Sequence, residues 1–151
     1  MDVLTTSKSL SAATSGVEEA ELTSEDYDYV AKLVFLPEGN PSGPIPTPPH
    51  KLNFTFNFKD YMANVFRAVR ALSNISEADY MLSLAGDFNY IEFIANSKSG
   101  QFFFYSHDGK YMIKTQSKME CKLLRRIMPQ YVKHLTMNPD SLLVRFYGMH
   151  K

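Results

Sequence analysis

Lys114 and Glu120 are the two side chains of this 151-residue chain whose types and settings most need a chemical reason. Lys114 is the penultimate residue of the segment "GQFFFYSHDGKYMIKT", residues 100–115, in which two aromatic-rich runs flank the pair Asp108-Gly109. Asp-Gly between apolar runs predicts a β-hairpin through a type I′ turn, with positive φ at both turn positions. A two-residue turn sets His107 opposite Lys110, Tyr105 opposite Met112 and Phe103 opposite Lys114. Alternation then gives Phe102, Phe104, Tyr111 and Ile113 to one face, read as the core face, and Phe103, Tyr105, Met112 and Lys114 to the other. An ammonium on such an apolar floor requires an anion, supplied by the protein or by a ligand. Glu120 is the best internal candidate, because on a helix starting near Lys118 it shares a face with Leu123, Leu124 and Ile127. Two plainer readings stand beside this one. Lys114 is then a strand-end lysine reaching into solvent, and Glu120 is the acid of a capping box opened by Ser117.

The elements that must position these residues follow from periodicity. Phe58, Tyr61, Met62, Val65, Phe66, Val69 and Leu72 recur at intervals of three and four and predict an amphipathic helix over that stretch. "SEADYMLSLAG" predicts a second, short helix, capped by Ser76 with Asp79 three positions on and ended by Gly86. From residue 90 the period changes to two, and "YIEFIAN", "QFFFYSH" and "KYMIKT" predict three antiparallel strands joined by "SKSG" and by the Asp-Gly turn. Helical spacing returns from about 118 to 136 with Pro129 inside it, as one kinked helix or two abutting ones. "LLVRFYG" reads as a last strand. The fold class is α+β, an antiparallel sheet with flanking helices.

Charge and composition divide the chain near residue 51. Residues 1–50 carry eight acids and two lysines, and residues 51–151 carry eight acids and fourteen bases. Six of the eight prolines and two glycines fall in residues 36–51, a composition that blocks helices and strand ladders alike. Residues 1–51 are therefore read as an acidic, proline-rich disordered tail and linker, with one marginal helix ending near Phe35, and residues 52–151 as the folded part. The basic folded part suits phosphate-bearing partners. Lys118, Lys122, Arg125, Arg126 and Lys133 lie along one helix face, either simply solvated or set against an anionic lipid surface.

Other chemistry is excluded. The single cysteine rules out an internal disulfide, the four histidines are too scattered for a metal site, and Ser106-His107-Asp108, adjacent in sequence, point apart rather than into a relay. No Walker P-loop and no nucleic-acid-reading motif occurs. With no leader and no membrane span in the sequence, a cytoplasmic protein is expected.

Strand, one-glycine turn, strand, hairpin, a strand ending in lysine and then a helix with an inward acid is the order of parts in a kinase N-lobe. From about Phe54 to His150 the chain resembles the phosphatidylinositol phosphate kinases, through "FNFKDYMANVFRAVR", "ADYMLSLAG", "SKSGQFFFYSHDGKYMIKT", "LLRRIMPQY" and "FYGMH". Within that family it looks most like the phosphatidylinositol 4-phosphate 5-kinases. The resemblance implies that Lys114 is the ATP-binding lysine, with Phe103 and Met112 beside it, that Ser99 and Gly100 form the phosphate-covering turn, and that Glu120 is the ion-pair partner. It further implies ATP as substrate, with magnesium only in a complete enzyme, and transfer to the 5-hydroxyl of phosphatidylinositol 4-phosphate. It places Lys118, Lys122, Arg125 and Arg126 against an anionic phosphoinositide membrane, at the inner face of which the protein would sit peripherally. The sequence departs from the family pattern at Ser97 and Gln101, which stand where a glycine and a small residue are usual. The family's catalytic and metal-binding aspartates lie beyond the "FYG" block, so residues 52–151 correspond to an N-lobe and are expected to be inactive by themselves. The alternative function is a non-catalytic module for membrane or protein contact, or for self-association as a homo-oligomer.

Overall fold

The structure, a computed structural model, describes residues 22–86, the strand 91–93 and residues 101–151. Helix α1 spans Ser24–Asp28, and strand β1, Val30–Phe35, pairs antiparallel with β2, Phe56–Tyr61. Helices α2 (Ala63–Leu72) and α3 (Glu77–Ala85) follow, then strands β3 (Ile91–Phe93), β4 (Phe103–Tyr105) and β5 (Met112–Lys114), and finally α4 (Lys118–Met137). The fold is α+β, with a two-stranded and a three-stranded antiparallel sheet.

The core lies between α2 and α4. Met62, Val65, Phe66 and Val69 meet Leu124, Met128, Tyr131, Val132, Leu135 and Met149 there, and Leu22 and Tyr27 pack against its edge. The recurrence of apolar residues at three and four does select the buried face of α2. It does not mark where that helix begins. "FNFKDY" is strand, and Met62, in the left-handed region at φ 52° and ψ 44°, turns the chain into the helix. The predicted helix from Phe58 is therefore corrected to Ala63–Leu72.

A second correction concerns residues 22–35. "VAKLVF" is neither disordered nor helical. Ala31, Leu33 and Phe35 are partly buried while Lys32 and Val34 are exposed, the alternation of a half-buried strand. Phe35 stacks on Phe56 at 4.9 Å and meets Phe58 edge-on at 6.1 Å. On the far edge of β2 the chain returns at residues 149–151, where Lys59 and Lys151 exchange backbone hydrogen bonds of 2.7 and 3.0 Å and the Tyr61 N–H donates to the Met149 carbonyl at 3.0 Å. The segment that joins this sheet thus follows "LLVRFYG", the run read as a last strand. Residues 142–147 form no strand, because side chains satisfy their backbone. The Tyr131 hydroxyl donates to the Val144 carbonyl at 2.7 Å and accepts from the Phe146 N–H at 3.0 Å.

Helix α3 begins at Ser76, whose hydroxyl accepts from the Asp79 N–H at 3.3 Å, and ends at Gly86 as expected. Helix α4 runs unbroken through Pro129. The hairpin register also holds, with Tyr105 opposite Met112 and Phe103 opposite Lys114. The turn itself differs. Only Gly109 takes the left-handed region there, at φ 69°, and its N–H donates to the Ser106 carbonyl at 2.9 Å, so Asp108 is not the left-handed residue a type I′ turn requires. The Asp108 carboxylate is instead an acceptor, taking the hydroxyls of Ser106 at 2.7 Å and Ser83 at 2.8 Å. These bonds, led by that from Ser106, hold it well below the usual carboxylate range and tie α3 to the hairpin.

Candidate functional site

The short link Thr115 to Ser117 between β5 and α4 brings Lys114 and Glu120 together. Thr115 extends the ladder by one residue, its N–H donating to the Phe102 carbonyl at 3.1 Å and its hydroxyl accepting from the Phe102 N–H at 2.9 Å. Ser117 then caps α4, its hydroxyl accepting from the Glu120 N–H at 3.2 Å. Glu120 therefore stands one turn into the helix beside the end of β5, and the Lys114 Nζ lies 3.4 Å from its Oε1. Both side chains are 38% exposed, so the pair adds little to stability. Its value is geometric, since it fixes where the ammonium sits. Among the described residues Glu120 takes one of the three N–H donors of Lys114.

The two readings of Glu120 are both realised. Its Oε2 accepts from the Ser117 N–H at 2.7 Å, completing the capping box while Oε1 faces the lysine. Sequence reasoning missed a third partner. Gln101 Nε2 donates to both carboxylate oxygens, at 3.0 and 2.8 Å. Gln101 stands where the resembled family has a small residue, and that mismatch was the available signal. The Ser117 backbone bond first, then the Gln101 amide and the Ser117 hydroxyl, with a smaller contribution from Lys114, hold the Glu120 carboxyl at about 2.

The folded-state value lies below the ordinary 4.5, so what Glu120 contributes is fully present above about pH 4.5 and is lost as pH falls toward 2. Urea midpoints measured in steps from pH 6 to pH 2 should fall less steeply below 4.5 in Glu120→Gln than in the parent chain. Parallel curves would mean that the capping and Gln101 bonds do not form in solution.

The remaining site residues divide. Phe103 is half-buried, with the Lys114 Nζ 6.0 Å from its ring centroid, whereas Met112 is 53% exposed. Lys114 thus rests beside one aromatic ring rather than on an apolar floor. The predicted core face is only partly covered: Phe102 is 51% and Ile113 37% exposed, whereas Phe104 and Tyr111 are half-buried and Tyr111 packs edge-on against Tyr80 and Tyr147, the main core having formed between the helices. Ser99 and Gly100, the predicted phosphate-covering turn, lie outside the described residues. Of the helix bases, Lys122, Arg125 and Arg126 line one groove against α1, with Arg125 also lying 5.4 Å from the centre of the Tyr61 ring. Lys118 is exposed outside that groove. No helix among the described residues is long and apolar enough to cross a membrane.

Comparison with known proteins agrees with the resemblance read from the sequence. Residues 84–151 match the family model described as phosphatidylinositol-4-phosphate 5-kinase. The chain is 42% identical over 132 residues to phosphatidylinositol 4-phosphate 5-kinase 3 of Arabidopsis thaliana, an overlap covering 86% of this chain and 18% of that protein. It is 48% identical over 101 residues to a probable phosphatidylinositol phosphate kinase of Dictyostelium discoideum, covering 64% of this chain and 14% of that one. Against a phosphatidylinositol 4-phosphate 5-kinase of Schizosaccharomyces pombe the identity is 37% over 133 residues, 88% of this chain and 17% of the other. The chain spans less than a fifth of the length of each of these relatives.

Proposed function

Because the chain is related to the phosphatidylinositol phosphate kinases, we propose that residues 52–151 are the ATP-contacting lobe of such a kinase, with Lys114 as the phosphate-contacting base and Glu120 as the acid that positions it. The observation that carries this reading is the 3.4 Å approach of the two groups at the end of β5. A lysine held by one carboxylate oxygen, exposed enough to be reached and with N–H donors left over among the described residues, fits a nucleotide phosphate. Bound ATP would supply the phosphoryl group, and magnesium would be needed in a complete enzyme. Within the chain itself, Lys114 binds and orients, Glu120 fixes the ammonium, and Gln101 with Ser117 fixes Glu120. Phe103 stands beside the lysine and Met112 precedes it on the same strand face, and the resemblance assigns the phosphate-covering role to Ser99 and Gly100, which lie outside the described residues. The reaction served is ATP-dependent phosphorylation of phosphatidylinositol 4-phosphate at its 5-hydroxyl. Lys118, Lys122, Arg125 and Arg126 face the anionic membrane that carries this lipid.

A second reading, a non-catalytic module acting by self-association, is favoured by one observation. Leu142, Leu143 and Val144 are 98%, 54% and 70% exposed, an apolar run open to solvent.

Titration with a fluorescent ATP analogue separates the two. The chain is expected to bind it weakly, Lys114→Met at least tenfold more weakly, and Glu120→Gln by an intermediate amount. Equal binding by the chain and Lys114→Met, together with a dimer in sedimentation, would favour the second reading.

A further inference from the structure

An open groove of about 530 Å³ runs between α1 and α4, with Ser24, Tyr27 and Asp28 on one wall and Lys122, Arg125 and Arg126 on the other. Three bases face one acid in it, so the groove carries a net charge of about +2 at neutral pH. Its walls are fixed from outside. Tyr27 packs against the core cluster, the Asn64 amide on α2 donates to the Asp26 carboxylate at 2.8 Å, and the Met62 N–H donates to the Tyr29 carbonyl at 2.9 Å. None of these contacts involves the Ser24 hydroxyl. Ser24 is exposed, and the residues after it, "EDYD", supply Glu25, Asp26 and Asp28. Protein kinases select substrates by such charge patterns, and an acid-directed serine kinase reads acids on the C-terminal side of its target.

We propose that Ser24 is a phosphorylation site whose phosphate is captured by Lys122, Arg125 and Arg126 across this groove. In the modification, the Ser24 Oγ forms a bond to the γ-phosphorus of ATP held by the modifying kinase. The bond from that phosphorus to the β,γ-bridging oxygen breaks, ADP leaves, and the hydroxyl proton passes to the kinase's base. A phosphoserine brings a charge of about −1.5 to −2 and acceptor oxygens suited to an arginine cluster. The groove's charge of about +2 then falls to about zero. The captured bases are those assigned above to the membrane, so phosphorylation works as an electrostatic switch that releases the chain from an anionic surface. The capture stands on the groove, and only this last consequence rests on the membrane reading.

The test uses the whole chain carrying phosphoserine at position 24, in the parent sequence and in Lys122→Ala/Arg126→Ala. Arg125 is kept because it also covers the Tyr61 ring. Titration by phosphorus NMR should place the second phosphate ionisation at least about half a unit lower in the parent than in the double variant, where it returns to about 6 or above. The same value in both backgrounds overturns the capture. Incubation of the unmodified chain with ATP and an acid-directed serine kinase should put phosphate on Ser24, mapped by mass spectrometry, and no phosphate there overturns the acceptor. Phosphatidylcholine vesicles containing phosphatidylinositol 4-phosphate should bind the phosphorylated chain about tenfold more weakly than the unmodified one. Equal vesicle binding by the two forms overturns the switch. If the unmodified chain does not bind the vesicles, the membrane reading falls, and the phosphorus titration alone decides the capture.

Discussion

Replacing Arg70 by methionine is expected to cost about 3 kcal/mol of stability and to lower the thermal midpoint by on the order of 10 °C. Arg70 is only 7% exposed, on the inner side of α2, and its whole fork is used. Nε and Nη2 donate to the two oxygens of Glu77 at 2.6 and 2.8 Å, and Nη1 donates to the Tyr147 carbonyl at 2.5 Å. The guanidinium also lies 4.5 Å from the centre of the Tyr80 ring, Tyr80 meets Tyr111 edge-on at 5.2 Å, and Tyr111 meets Tyr147 at 5.9 Å. One side chain therefore joins α2, α3 and the segment after α4, and through Tyr80 and Tyr111 it is linked to the hairpin. Methionine fills the volume but leaves the carbonyl and the carboxylate without their donor. Glu77 is 46% exposed and can rehydrate, so Glu77→Gln should cost less than about 1 kcal/mol. Urea unfolding of the three proteins checks the asymmetry. Equal losses at the two positions would mean that the ion pair, and not the arginine's junction, carries the effect.

That junction also shows which parts of the molecule the sequence makes legible. Local signals read correctly: the Asp-Gly pair set the register of β4 and β5 to the residue, Ser76 and Ser117 marked two helix starts, and Gly86 marked a helix end. Each depends on neighbours a few positions apart. Features that depend on distant partners did not read. Val30–Phe35 is a strand because Phe56–Tyr61 lies beside it, beyond a proline-rich stretch that breaks any local pattern, and helix propensity in "EEAELTSEDYDYVAKLVF" points elsewhere. Leu142 to Tyr147 has the composition of a strand but gives its backbone groups to Tyr131 and Arg70. At the candidate site, Lys114 and Glu120 were legible because a short link joins them. Gln101 was marked only by its departure from the family pattern, because nothing in its spacing announces that an amide nineteen positions upstream will hold both oxygens of Glu120. The basic face read as a periodic row, yet only the packing of α1 separates Lys122, Arg125 and Arg126, which share a groove, from Lys118, which does not.

Residues 1–151 by themselves are expected to transfer no phosphate from ATP to vesicles containing phosphatidylinositol 4-phosphate, at a rate indistinguishable from that of Lys114→Met. A lysine and its carboxylate orient phosphate, but phosphoryl transfer draws its acceleration from metal ions that neutralise the developing charge and from a group that orients the attacking hydroxyl. A positioned acid or base alone contributes about 10²- to 10⁴-fold, and charge stabilisation by a metal is worth several kcal/mol more. In the resembled family both roles fall to aspartates beyond the "FYG" block, and among the described residues the acid beside Lys114 is already engaged. Glu120 is held by Ser117, Gln101 and Lys114. With kinase turnover at about 1 to 100 per second, losing both contributions puts the rate several orders of magnitude below that. Radiolabelled ATP and chromatographic separation of the lipid product give the sensitivity needed. Labelled lipid above the Lys114→Met control would mean that some acid within these residues holds the metal, and would overturn this expectation.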